Sequence, residues 1–146
     1  SSSREEAVDA ALDLIDKNSL AYEAVEVGKK FVNQSASNLH DHYGDMSPVH
    51  SLNNLAVVIW AFLSFQDSFD EAIGETICCG WDTDCTGATV GGLIGLDKGS
   101  IPELWTDPWQ GRVNTAIAGV GELKLEDLVE RTCKLVDQFS SESDMD

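Results

Sequence analysis

Positive charge is what this sequence most lacks. Only nine of its 146 residues are Lys or Arg, against 26 Asp and Glu, and the formal net charge is −17. The nine basic residues do not cluster. Nucleic acid and anionic membrane both call for positive charge on the protein, so neither is an expected partner. Long apolar runs are missing too. The longest, Leu55 to Leu63, is too short to cross a bilayer. Cysteine is sparse and poorly spaced for a framework. Cys78 and Cys79 adjoin, Cys85 and Cys133 stand apart, and no Cys-x-x-Cys pair exists. A zinc ribbon or disulfide scaffold is therefore disfavoured, and four free thiols in a reducing compartment are expected. The start, Ser-Ser-Ser-Arg-Glu-Glu, is polar throughout and shows no signal-peptide pattern, so the expected location is cytoplasmic. Strand signals are nearly absent, and there is no phosphate-binding loop, Gly-x-Ser-x-Gly elbow or internal repeat.

What remains is helical patterning. The hydrophobic fraction of 42% suits a globular chain, and the length suits one domain with a modest core. Ser3 and Glu6 have capping-box spacing ahead of a helix predicted over residues 4 to 16. A second is predicted from 20 to 34, with Leu20, Ala24, Val27 and Phe31 on one face. Residues 35 to 52 show no periodicity and read as a loop, which holds His40, His42 and His50. His40 and His42 have no third ligand at a recognisable spacing and read as surface residues. Asn54 to Phe65 is apolar nearly all round, the mark of a central helix. Ser68 opens the next helix, to about Cys79. The last is predicted over Lys124 to Phe139, with Leu125, Leu128, Val129, Thr132, Leu135, Val136 and Phe139 inward. Gly111 to Gly121 is ambiguous. The reading is all-α, with one helical domain over residues 1–139 and a disordered acidic tail over 140–146.

One stretch organises the chain: Gly80-Trp81-Asp82-Thr83-Asp84-Cys85-Thr86-Gly87. Asp82 and Asp84 stand two residues apart, which puts both carboxylates on one side only if the backbone there is extended or turning. Residues 80 to 84 read as a turn, and a helix follows from about 85 to 96 with Asp84 as its N-cap. Asp82 has no such job. The carboxylates lie between apolar Ile77-Cys78-Cys79 and a run of small residues, where their repulsion calls for a cation or protons. Oxygen ligands close together suit a hard divalent ion. Gly87, Gly91, Gly92 and Gly95 each cost about 1 kcal/mol in a helix relative to alanine, so something must approach that helix closely.

This stretch, with Gly87-Ala88-Thr89-Val90-Gly91 and the later Gly99-Ser100-Ile101-Pro102-Glu103-Leu104-Trp105, resembles the C-terminal signature of the ADP-ribosylglycohydrolases. The resemblance covers roughly residues 50 to 136. It implies a compact all-helical orthogonal bundle, present in part, that hydrolyses the glycosidic bond joining ADP-ribose to a protein or small acceptor with two magnesium or manganese ions. It makes Asp82 and Asp84 metal ligands and puts Cys85 where the family has a threonine ligand, with Thr86 or water as substitutes. It offers His50 and Asn53 as substrate-side candidates, with an N-cap role competing for Asn53. Trp81, also a substrate-side candidate, could stack on an adenine, as could Trp105 and Trp109, for which core packing is the favoured reading. The family's other ligand cluster, Gly-Asp-Asp-Thr-like, has no counterpart here, and its general base lies N-terminal to the matched part. The chain is thus expected to be a C-terminal portion carrying half of a dinuclear site, with the missing N-terminal portion as a possible partner.

Three functions follow. The first is a metal-dependent hydrolase acting on ADP-ribosylated substrates. The second is a non-catalytic ADP-ribose-binding or structural protein on the same scaffold. A plain helical interaction domain is the third, and it leaves Asp82, Asp84 and four helix glycines as coincidence.

Overall fold

The computed structural model describes residues 3–143. The described chain forms two compact units, one up to Ile101 and one from Pro102 onward. The first holds α1 (Arg4–Leu12), α2 (Leu20–Lys30), α3 (Ser37–Tyr43), α4 (Ser51–Ser64), α5 (Phe69–Cys78) and α6 (Thr83–Lys98). All-α is the fold class, and among the described residues the strands make one small two-stranded ladder. None of the four cysteines is in a disulfide. No helix among the described residues is long and apolar enough to cross a membrane.

Helix α4 is the hub of the first unit. An unbroken run from Ala56 to Leu63 is buried, so α4 has no solvent face over two turns. Helices α1, α2, α3, α5 and α6 all pack on it. Trp60 is fully buried, its indole N–H donating to the Gln34 carbonyl at 3.1 Å, with Phe65 edge-on at 5.4 Å. Helix α2 approaches α4 most closely at Gly28. A Cβ there would stand 2.7 Å from the Ala56 carbonyl oxygen and 2.8 Å from Ile59 Cβ.

Helix α1 starts with the capping box the sequence suggests, Ser3 and Glu6 each bonding the other's backbone N–H. It ends at Leu12, short of the expected 16, because Asp13-Leu14-Ile15-Asp16 turns away. Arg4 is only 5% exposed. Its Nε donates to Asp97 at 2.9 Å and its Nη1 to the Phe62 carbonyl at 2.8 Å, tying α1 to α6 and α4. Residues 35 to 52 are not all loop. Ser37–Tyr43 is a helix whose single buried residue is Leu39, which is why no apolar stripe announces it. His50 is the N-cap of α4, accepting from Leu52 N–H at 3.2 Å, and so takes the place weighed for Asn53.

In α6, the glycines serve close approach. A Cβ on Gly87 would meet Ile77 of α5 at 2.9 Å, and one on Gly91 would meet Ile73 of α5 at 3.3 Å. Gly95 faces Ile101 at 3.3 Å, while Gly92 has nothing within 4 Å.

The second unit holds α7 (Glu103–Thr106), a 3-10 turn over Asp107–Trp109, strands β1 (Arg112–Asn114) and β2 (Glu122–Lys124), and α8 (Leu125–Ser143). The ambiguous Gly111 to Gly121 stretch is thus part of a hairpin, with Val113 opposite Leu123, Arg112 opposite Lys124, and the Arg112 side chain in a salt bridge with Glu122. Helix α8 continues through Ser143, so residues 140–143 of the expected tail are helical, and 144–146 lie outside the described residues. Within this unit its apolar stripe is left uncovered. Leu135, Val136 and Phe139 are 53%, 58% and 69% exposed. A short hairpin offers a helix of 19 residues too little apolar surface to cover such a stripe.

Gly28 and Gly92 make opposite stability predictions. Gly28→Ala should lower stability by about 1–3 kcal/mol, since backbone and Cβ atoms of α4 cannot yield. Gly92→Ala should raise it by about 0.5–1 kcal/mol through helix propensity alone. Urea unfolding monitored at the helical dichroism band reads both. Equal signs would refute the packing argument.

Candidate metal centre

The site is built where α5 hands the chain to α6. Cys79 closes α5 and is buried, and burial pushes its thiol up to about 11, so it is a neutral packing residue. Gly80 and Trp81 follow with φ of +82° and +59°. This left-handed region is easy for Gly80 and costly for Trp81, an aromatic residue with a Cβ. The pair reverses the chain so that Asp82 is the N-cap residue of α6 and Asp84 lies in its first turn. The helix therefore begins two residues earlier than the sequence suggests, and Asp84 is not the cap. Asp82 makes no side-chain capping bond. Its carboxylate instead accepts a hydrogen bond from the Cys85 thiol.

Two elements hold this turn in place. From α3, the His40 ring lies 4.2 Å from the Trp81 ring, and its Nε2 donates to the Cys79 carbonyl at 2.7 Å. Tyr43, one turn on, meets Trp81 edge-on at 6.0 Å. From α4, buried Asn54 accepts the Asp82 backbone N–H at 3.3 Å and donates to the Pro48 and His50 carbonyls, each at 2.8 Å. Sequence reading did not single out Asn54, His40 or Tyr43 for this role. Leu39 and Tyr43 at a spacing of four, with Gly44 as a stop, were the available signal for α3.

Within the turn, one ligand atom from each of Asp82, Asp84 and Cys85 lies within 4.8 Å of the others. Both acids also sit at the positive end of the α6 dipole. The two carboxylates suit a hard divalent cation. The Cys85 thiol does not, being a soft donor. A hydrogen bond to Asp82, then the charges of Asp82 and Asp84, raise its pKa, so it stays a protonated thiol. Thr86 is no substitute, because it is 1% exposed and its hydroxyl donates to the Asp82 carbonyl at 2.9 Å. Any ion here would rest on Asp82 and Asp84 and complete its shell with water.

Of the substrate-side candidates, Trp81 is half-buried at the turn, and His50 is exposed at the start of α4. Asn53 is fully buried, donating to the Ser47 carbonyl at 3.2 Å and accepting from Asn54 N–H at 3.0 Å. Its polar atoms are spent inside the protein. Beside the acids lies a cavity of about 210 Å³ lined by Ser51, Asn54, Leu55, Val58, Cys85 and Thr86, among others.

The fold is all-helical, with two acids close together at the start of α6. The family follows from comparison: the ADP-ribosylglycohydrolase family model matches residues 1–143. The chain belongs to that family, and the match reaches beyond the stretch from about residue 50 to take in α1, α2 and α3. No curated protein and no solved structure matches it.

Asn54→Leu should cost about 2–4 kcal/mol, because it strands the Pro48 and His50 carbonyls and the Asp82 N–H in a buried setting. Thermal unfolding measures the loss. A change below 0.5 kcal/mol would show that the amide does not hold the turn.

Proposed function

We propose that this chain supplies one ligand cluster of a divalent-cation centre in a hydrolase that releases ADP-ribose from modified proteins or small acceptors. The observation that carries the proposal is the convergence of Asp82 and Asp84 at the start of α6 in a chain of this family. Magnesium or manganese is the proposed ion, two in a complete site. When bound, such an ion polarises substrate oxygens and acidifies water.

The protein's own residues do the positioning. Asp82 and Asp84 gather negative charge at one point. Asn54 and the His40–Trp81–Tyr43 cluster fix the backbone that carries them. Trp81, half-buried beside the acids, is the proposed stacking partner for adenine. The neighbouring cavity at Ser51, Cys85 and Thr89 is the proposed place for a sugar. A net charge of −17 repels the diphosphate of ADP-ribose, so cations and the free N–H groups of the α6 first turn are what offset it.

A second reading is a non-catalytic ADP-ribose-binding or structural protein on the same scaffold. It is favoured by Cys85, whose protonated thiol stands where the family has threonine and adds no hard ligand.

The test is manganese titration followed by electron spin resonance on the wild-type chain, Asp82→Asn and Asp84→Asn. Both variants should bind about tenfold more weakly or worse, as expected for loss of a charged ligand. Unchanged binding in Asp82→Asn would overturn the metal centre. Release of ADP-ribose from a modified protein separates the two readings: release that Asp82→Asn abolishes supports the hydrolase, and metal binding without release supports the second.

A further inference from the structure

Between α2, α3 and the start of α4 lies a cavity of about 230 Å³ that none of the acidic-turn residues lines. Leu20, Met46 and Leu52 supply carbon to its lining, while Glu23, His42 and Tyr43 supply polar groups. Glu23 is exposed and Tyr43 half-buried. Burial first, and then the charge of Glu23, pushes the Tyr43 phenol up to about 12, so it stays a neutral hydroxyl with a carboxylate nearby. No hydrogen bond joins the two. Neither the carboxylate nor the hydroxyl has a hydrogen-bond or ion-pair partner among the described residues. The His42 ring stands edge-on to Tyr43 at 4.8 Å, so the polar part of the lining is also aromatic.

We propose that this cavity binds a small primary alkylamine in its ammonium form, its N–H groups donating to Glu23 and Tyr43. Four observations select that chemistry. A primary ammonium carries three donors, and the cavity offers two unfilled acceptors, one of them anionic. An aromatic ring attracts a cation to its face, as Tyr43 offers here. Leu20, Met46 and Leu52 reward an alkyl chain, and a volume of this size holds one of roughly four to six carbons. The chain itself is short of cations, with nine Lys and Arg against 26 Asp and Glu, and that excess draws cations and repels carboxylates. A bare magnesium or calcium ion fits less well, because one carboxylate and one phenol supply too few oxygens. None of these residues is a proposed metal ligand, and the inference stands whether or not the acidic turn binds metal.

Butylammonium, 1-butanol and butyrate form a matched probe set: cationic, neutral and anionic. Titration at about pH 8 and fixed ionic strength, without divalent metal, keeps the amine charged and histidine neutral. Methyl resonances of Leu20, Met46 and Leu52 report occupancy by nuclear magnetic resonance. In wild type, butylammonium should shift these methyls saturably and bind about tenfold tighter than 1-butanol, the joint worth of one exposed ion pair and one cation–π contact. Butyrate should bind most weakly. Tyr43 also meets Trp81, so the variants leave it in place. Glu23→Gln should cut the butylammonium advantage severalfold. Glu26→Gln, which removes an acid of the same helix already paired with Lys29, should leave it unchanged. Equal binding of butylammonium and 1-butanol to wild type, or an advantage that survives Glu23→Gln intact, overturns the role of Glu23. An advantage that both variants lower equally comes from the general charge of the chain and overturns the site. Tightest binding of butyrate overturns the charge argument. No saturable shift with any probe overturns the site.

Discussion

The burial of α4 on every side is the constraint from which the rest of the first unit follows. A helix with no polar face must be covered by neighbours, and the five surrounding helices are placed by that need. Close approach is built in where it is required: Gly28 admits α4 to α2, and Gly87 and Gly91 admit α5 to α6. The polar residues at the start of α4 then have fixed positions rather than solvated ones. Asn54 uses this. Its amide is buried, so its bonds to Pro48, His50 and Asp82 strengthen in low dielectric and would be expensive to lose.

The acidic turn stands on that frame and is strained. A left-handed tryptophan is a local cost of about 1–3 kcal/mol, kept only when the surroundings over-determine it. Here α3 does so through His40 and Tyr43, and α4 does so through Asn54. The result is an N-cap aspartate that does not cap. In an ordinary helix start the side chain would satisfy a first-turn N–H. Asp82 instead keeps its carboxylate near that of Asp84, where it accepts a hydrogen bond from the Cys85 thiol.

Helices with a strong apolar pattern were legible in the sequence. The all-apolar run from Asn54 to Phe65 marked α4 as central, and the Ser3 and Ser68 caps marked two helix starts. The acidic pair was legible too, through its residue types and the family resemblance. What escaped was whatever depends on contacts between distant segments. Helix α3 buries only Leu39, so its polar sequence looked like loop, and its clamp on Trp81 was invisible. Asp84 matched the N-cap pattern as well as Asp82 did, and only the left-handed Gly80-Trp81 step decides between them. The α8 stripe was legible as a pattern but its covering was not, because periodicity says which face is apolar and not what covers it. The burial of Arg4 could not be read at all. A residue in the first turn of a helix looks solvated until Phe62, Phe65 and Asp97 are seen around it.

The central claim is that the Gly80–Asp84 turn holds two carboxylates ready for a hard cation. It is tested most directly by crystals of the chain grown with manganese and measured at the manganese absorption edge. The account predicts one anomalous peak bridging or adjoining Asp82 and Asp84, at about 2.1–2.3 Å from their oxygens, with water completing the shell and Cys85 Sγ outside it. An ordered turn with no peak between the two carboxylates, or a peak bonded to Cys85 alone, would contradict it.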